Sequence, residues 1–157
     1  MAEDFDALWK RYWELVGDVV ISKHQFFMSN LQRWLNLLEQ DHRIVPILAR
    51  LERDIDFGTW YQECLKTTSG MVGSGALTWP MDADKRLGMH LALIRAFASQ
   101  KIPFQDFCHH FLWTRNDFNV MANDIAEQIF QPFSRDLQYE IDRKLRMASI
   151  ATAPAAD

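Results

Sequence analysis

The sequence predicts an all-α protein, and three observations support this fold class. Apolar residues recur at intervals of three and four along most of the 157-residue chain, which is the spacing of one helix face. No stretch alternates apolar and polar residues as a half-buried strand does. Nearly half of the residues are apolar, so a packed core is expected. We therefore predict one compact bundle of about six helices over residues 1–147, with residues 148–157 as a disordered tail.

Two aromatic-rich helices are predicted at the N-terminus. Acidic residues at the start of the first helix suit the positive end of its dipole, and apolar residues then keep helical spacing as far as Val19. A second run starts near Ser22, a candidate cap, and continues to Leu38. The pattern allows one long helix or two, and we favour a break between Val20 and His24.

Two shorter helices follow. The first is expected to begin within Asp41–Pro46, since proline is tolerated in a first turn, and to end at Phe57. Thr59 and Gln62 then have the spacing of a capping box. The fourth helix is therefore predicted to begin directly after Thr59.

A glycine-rich loop, Thr67–Pro80, is the clearest interruption of the helical pattern. It has three glycines and no helical period. It lacks the lysine that a phosphate-binding loop requires. Long loops in compact domains are often functional. The loop is thus either a plain connection or a partner-contacting segment, and Trp79 near its end is a candidate binding residue.

The next helix, Lys85–Ser99, is predicted to lie at the centre of the bundle. Asp82 is its candidate cap, and the segment 87–98 is apolar nearly all round, which is typical of a helix surrounded by others. A helical spine from Phe104 to Leu145 should pack against it, with Pro132 kinking the spine or dividing it in two. The N-terminal helices would close the other side.

A run of polar residues in this spine is the best candidate for a binding site. Asn116, Asn119 and Asn123 have the spacing of one helix face, although asparagine is a poor helix former. The row could simply face solvent, or Asn116 or Asp117 could cap a new helix. The functional alternative is a polar seam against a partner or ligand, with Arg115 as its charged anchor.

The best catalytic candidate is Asp106 with His109 and His110. On a helix the carboxylate lies one turn from both imidazoles. Adjacent histidines point about 100° apart, however, and zinc takes about four ligands. We therefore predict no metal and no cofactor.

Composition excludes several classes of function. The formal net charge of −4 does not favour direct nucleic-acid binding, but suits a basic protein partner. No stretch reaches the roughly 20 apolar residues of a membrane span, and the N-terminus does not resemble a secretory signal. The two cysteines, Cys64 and Cys108, lie in apolar registers without a disulfide pattern, which predicts a reducing compartment and a cytoplasmic location.

Three functional hypotheses follow. The leading one is a non-enzymatic module that binds another protein, of the adaptor, inhibitor or immunity type, because a catalytic constellation is missing and aromatics are abundant. Its surface would use Trp79 and the seam at Arg115, and self-association is also compatible. The alternatives are a helical hydrolase or nuclease using Asp106, His109, His110 and Arg115, and a small-molecule sensor with an aromatic pocket.

Overall fold

The computed structural model describes residues 5–113 and 115–152, and every regular element in these two segments is helical. In chain order the helices are α1 (Phe5–Val20), α2 (His24–Glu39), α3 (Val45–Glu52), α4 (Phe57–Leu65), α5 (Ala83–Ala98), α6 (Phe104–Phe111), α7 (Phe118–Ile125) and α8 (Gln131–Thr152). A π-helical turn, Ala126–Phe130, joins α7 to α8 without a break. The predicted all-α class is confirmed, and about six helices was close to the observed number.

Helix α5 occupies the central position that its apolar sequence predicts. It contacts α2, α3, α4 and α8 and buries residues on all sides. Asp82 caps it, accepting a hydrogen bond from the Lys85 N–H at 2.9 Å. Gly88 lets α3 approach closely, since a Cβ atom there would lie 2.1 Å from the Leu51 carbonyl oxygen.

An aromatic core joins α1, α2, the π-helical turn and α8. We define it as Tyr12, Trp34, Phe130 and Phe133, all of them fully enclosed. The Trp34 ring meets those of Phe130 and Phe133 nearly edge-on, with centroids 4.9 and 6.0 Å away. The Tyr12 hydroxyl donates to the Ser134 carbonyl at 2.5 Å, which satisfies the polar end of a buried ring.

The predicted break between α1 and α2 is confirmed, but its capping differs from the prediction. The Ser22 hydroxyl donates to the Asp18 carbonyl at 2.6 Å and does not cap α2. Lys23 occupies the cap position without a side-chain hydrogen bond. Instead, Asn119 from α7 accepts from the His24 N–H at 2.8 Å. A residue 95 positions away in sequence therefore satisfies the first donor of α2.

The predicted start of the fourth helix was wrong. Helix α4 begins at Phe57, and Asp56 is its cap. The Asp56 carboxylate accepts from the Thr59 N–H at 3.1 Å and from the Thr59 hydroxyl at 2.7 Å. Thr59 is thus a donor in the first turn, and the cap lies three residues earlier.

Pro132 lies near the start of α8, and the π-helical turn before it keeps the helix continuous. The Gln131 N–H bonds to the Ala126 carbonyl five residues back. The wider π-helical turn accommodates Pro132, which has no N–H to donate and whose ring would clash with the preceding turn of a regular α-helix. Helix α8 continues to Thr152, so the first five residues of the predicted tail are helical, while 153–157 lie outside the described residues. Within the described segments, no helix has the length and apolarity to cross a membrane.

Candidate functional site

The glycine-rich loop is fastened to the C-terminal end of α6. The Gly73 N–H donates to the His109 carbonyl at 2.9 Å, and the Gly75 N–H donates to the His110 carbonyl at 2.8 Å. Carbonyl groups in the last turn of a helix have no partner within it. The loop therefore supplies donors that the end of α6 lacks, and its position relative to α6 is defined.

Both glycines are required by this attachment. A Cβ atom on Gly75 would lie 2.7 Å from the His110 carbonyl oxygen and 2.8 Å from the Phe111 ring. Gly73 has a φ of +72°, which side chains rarely adopt. The close approach brings Val72 to the segment that leaves α6, where Trp113 is 81% exposed.

A groove of about 650 Å³ opens where the loop meets α7. Among the described residues, five line this groove, and we call them the docking surface: Val72, Trp113, Arg115, Val120 and Asp124. Trp113, Val72 and Val120 are apolar, and the remaining two carry opposite charges. Met71, which precedes Val72 in the sequence, is 69% exposed and adds an apolar side chain to this region.

The charges of the docking surface have no close partners within the described residues. Neither Arg115 nor Asp124 forms an ion pair with another described residue. Partial burial and the nearby carboxylate of Glu127 both raise the pKa of Asp124. Two neighbouring carboxylates, one of them partly shielded from solvent, favour the binding of a cation.

The predicted asparagine row does not form one helix face. Asp117 caps α7, accepting from the Asn119 N–H at 2.8 Å and the Val120 N–H at 3.2 Å. Asn116 consequently lies in the turn before the helix. The alternative in which Asp117 caps a new helix is the one observed.

Arg115 is the predicted binding residue that the structure brings to the groove. Asn119 is exposed and bonded to His24, through the backbone N–H at 2.8 Å and the ring Nδ1 at 2.9 Å. Asn123 lies half-buried one turn further along α7. The part of Asn116, Asn119 and Asn123 in binding stays a prediction, but Asn119 also has a structural function at α2.

Trp79 packs at the other end of the glycine-rich loop. Its ring centroid lies 4.7 Å from that of Trp60 and 3.7 Å from that of His90. The Trp60 indole donates to the Thr78 carbonyl at 2.7 Å. Trp79 is half-buried and secures the loop against α4 and α5, and its part in binding stays a prediction.

Three residues of the hydrolase hypothesis, Asp106, His109 and His110, lie on helix α6 without a hydrogen bond between carboxylate and imidazole, and the fourth, Arg115, lies beyond the end of this helix. Asp106 and His109 are exposed, His110 is half-buried, and the two imidazole centroids are 5.7 Å apart. In the described part of the chain, no three histidine, cysteine or acidic residues converge as metal ligands. Cys108 is buried, which raises the pKa of its thiol to about 12. The hydrolase interpretation stays a prediction.

Trp113 and Val72 were missed by the sequence interpretation. Trp113 follows the buried pair Phe111 and Leu112, and it lies two residues after the end of α6. That position was the available signal, because a large aromatic just outside a helical register has no predicted core to enter.

Comparison with known proteins gives a distant relative but no matching solved structure. No family model matches this chain, and no solved structure matches it. The chain is similar to "Uncharacterized protein YuaY" of Escherichia coli strain K12, with 27% identity over 129 residues. The aligned segment covers 82% of this chain and 42% of YuaY, so the chain spans less than half the length of that relative.

Proposed function

We propose that this protein is a non-enzymatic interaction module that binds another protein through its docking surface. The observation that carries the proposal is the exposed Trp113 beside Arg115 at a groove of about 650 Å³. Tryptophan and arginine are the residues that most often dominate the binding energy of protein interfaces. Burying the Trp113 ring against an apolar side chain would remove a large apolar area from water.

The chemistry of the groove indicates the kind of partner. Val72, Trp113 and Val120 suit an apolar side chain. Asp124, with Glu127 close by, suits a lysine or arginine, because a cation would relieve the repulsion between the two carboxylates. A partner segment with an apolar residue next to a basic one fits both, and agrees with the net charge of −4.

The finer assignment is an adaptor, inhibitor or immunity-type protein acting in the cytoplasm. Its support is indirect: two free, buried cysteines fit a reducing compartment. A second copy of the chain is the other possible occupant of the docking surface, and sedimentation velocity of the purified protein would detect it.

The test is a binding measurement on a reconstituted complex. A partner captured by the tagged protein is purified, and its Kd is measured by calorimetry. We expect Trp113→Ala to weaken binding by roughly 30-fold, about 2 kcal/mol, because a central aromatic anchor is lost. Asp124→Asn should weaken it less and reduce its salt dependence.

A matched control comes from Tyr139, an aromatic residue of α8 that is 69% exposed and does not line the groove. Tyr139→Ala should leave the Kd unchanged. Equal weakening by Tyr139→Ala and Trp113→Ala, or no weakening by either, would place the interface elsewhere.

A further inference from the structure

The docking surface carries one positive and one negative side chain that do not neutralise each other. Arg115 and Asp124 both line the groove, but no ion pair joins them. Burial and the nearby carboxylate of Glu127 raise the pKa of Asp124, and no cation among the described residues opposes this shift. A guanidinium in close contact would lower that pKa. The groove therefore has two separate charges, each without an ion-pair partner in the described part of the chain.

The order of these charges follows from the sequence around α7. Arg115 precedes the first residue of α7, Val120 lies in the first turn and Asp124 lies in the last turn. Val120 and Asp124 are four residues apart, so they share one face of the helix and lie about 6 Å apart along its axis. Along α7 the surface therefore presents a cation, an apolar residue and a carboxylate.

The apolar part of the groove comes from three segments of the chain. Val72 belongs to the glycine-rich loop, Trp113 to the segment after α6 and Val120 to α7. The hydrogen bond from the Gly73 N–H to the His109 carbonyl, at 2.9 Å, holds the residue after Val72 against α6. The apolar wall is thus in place before a partner binds, which lowers the entropic cost of binding. A groove of about 650 Å³ is large enough for a short peptide segment and not only for one side chain.

We infer that the docking surface binds a short peptide segment of the partner in which an acidic and a basic residue flank an apolar one. The acidic residue would pair with Arg115, and the basic residue would pair with Asp124. The apolar residue would pack between them on Trp113 and Val120. This partner chemistry rests on the proposed function and adds to it the acidic residue and the order of the charges.

Other segments would bring like charges together in the groove. A segment with only basic residues would place a cation beside Arg115. A segment with only acidic residues would place a carboxylate beside Asp124 and Glu127. Like-charge contacts in an interface disfavour wrong partners. The surface therefore selects the order of charges in a segment and not its net charge.

A library of random peptides displayed on phage is the first probe. It is selected on the immobilised full chain, and peptides that bind Trp113→Ala equally well are discarded because they contact another surface. The remaining peptides should share an apolar residue with an acidic residue on one side and a basic residue on the other. Remaining peptides that lack either charge would overturn the inference and leave the proposed function intact. If no peptide depends on Trp113, the peptide inference fails, and the captured partner alone decides the proposed function.

Two charge reversals then show which side chain pairs with which residue of a selected peptide. Arg115→Glu should weaken binding by about tenfold or more, because an attractive pair becomes repulsive. A synthetic peptide whose acidic residue is replaced by lysine should restore it. Asp124→Lys should have the same effect, and a peptide whose basic residue is replaced by glutamate should restore binding. Calorimetry measures each Kd, and a structural defect would not be rescued by either peptide.

Arg53→Glu is the matched control, since it makes the same change of charge at an exposed arginine outside the groove. It should leave the Kd of the selected peptide unchanged, and helical circular dichroism checks that each variant folds. If neither exchanged peptide restores binding, Arg115 and Asp124 do not pair with the peptide, and the inference is overturned. The effect of Trp113→Ala on the captured partner would still test the proposed function separately.

Discussion

Trp34 and Trp113 show how differently one residue type is used in this molecule. Trp34 is 0% exposed and lies among three rings of the aromatic core, whereas Trp113 is 81% exposed at the rim of a groove. The first follows the helical period of α2, and the second lies just beyond the end of α6. An abundance of tryptophan therefore predicts neither packing nor binding. The position relative to the helical register separates the two.

The largest effect that tests this contrast is on stability. Trp34→Ala should lower the free energy of unfolding by about 3–5 kcal/mol, because it leaves a cavity among rings that cannot close around it. Trp113→Ala should change it by less than about 0.5 kcal/mol, because the ring is exposed. Urea unfolding followed by circular dichroism measures both values. Similar losses for the two variants would mean that Trp113 supports the fold, and the docking surface would lose its principal anchor.

Most of the fold could be predicted because helical periodicity records which side of each helix is buried. The central place of α5 followed from its apolar residues on all sides, and the cap at Asp82 followed from its position before that run. The start of α4 was missed because Thr59 is a cap residue by type. Asp56 has the same capacity three residues earlier, and sequence spacing alone does not rank the two.

The candidate site was less predictable because it depends on contacts between distant segments. Arg115 was predicted to belong to a polar row, whereas its neighbours at the groove, Val72 and Asp124, come from the loop and from α7. Asn119 reaches back to His24, a contact with no local sequence signal. The function of Gly75 also depends on α6, which begins 29 residues later. Helical spacing contains no information about such pairings.

A pair of helical glycines sharpens the contrast between core and surface. Gly88→Ala should destabilise the protein by about 1–3 kcal/mol, since its Cβ atom would meet the Leu51 carbonyl oxygen at 2.1 Å and force α3 from α5. Gly17 is exposed on α1, and a Cβ atom added there would have no neighbour within 4 Å. Gly17→Ala should therefore stabilise by about 0.5–1 kcal/mol. Thermal unfolding shows whether each substitution raises or lowers the stability of the protein. An increase in stability from Gly88→Ala would show that α3 and α5 are not in close contact.

A pH-dependent effect concerns His90, where the glycine-rich loop meets the aromatic core. Its ring lies 3.7 Å from the Trp79 centroid and 5.1 Å from that of Phe133. Burial, together with the charge of Arg86, lowers the pKa of His90 to about 4, and Asp136 opposes this shift. The unfolded chain takes up a proton on this ring below about pH 6.5, whereas the folded protein does so only near pH 4.

The contribution of His90 to stability is therefore complete above pH 6.5 and is lost as the pH falls towards 4. We expect a loss of about 3 kcal/mol over this window, measured by urea unfolding at several pH values. His90→Phe keeps an aromatic ring and should remove this part of the pH dependence, while His42→Gln, at an exposed position, should retain it. If the free energy of unfolding of His90→Phe depends on pH as strongly as that of the unsubstituted protein, the His90 ring is exposed to water in the folded state. The contrast with the exposed Trp113 would then hold for the aromatic core but not for this end of the loop.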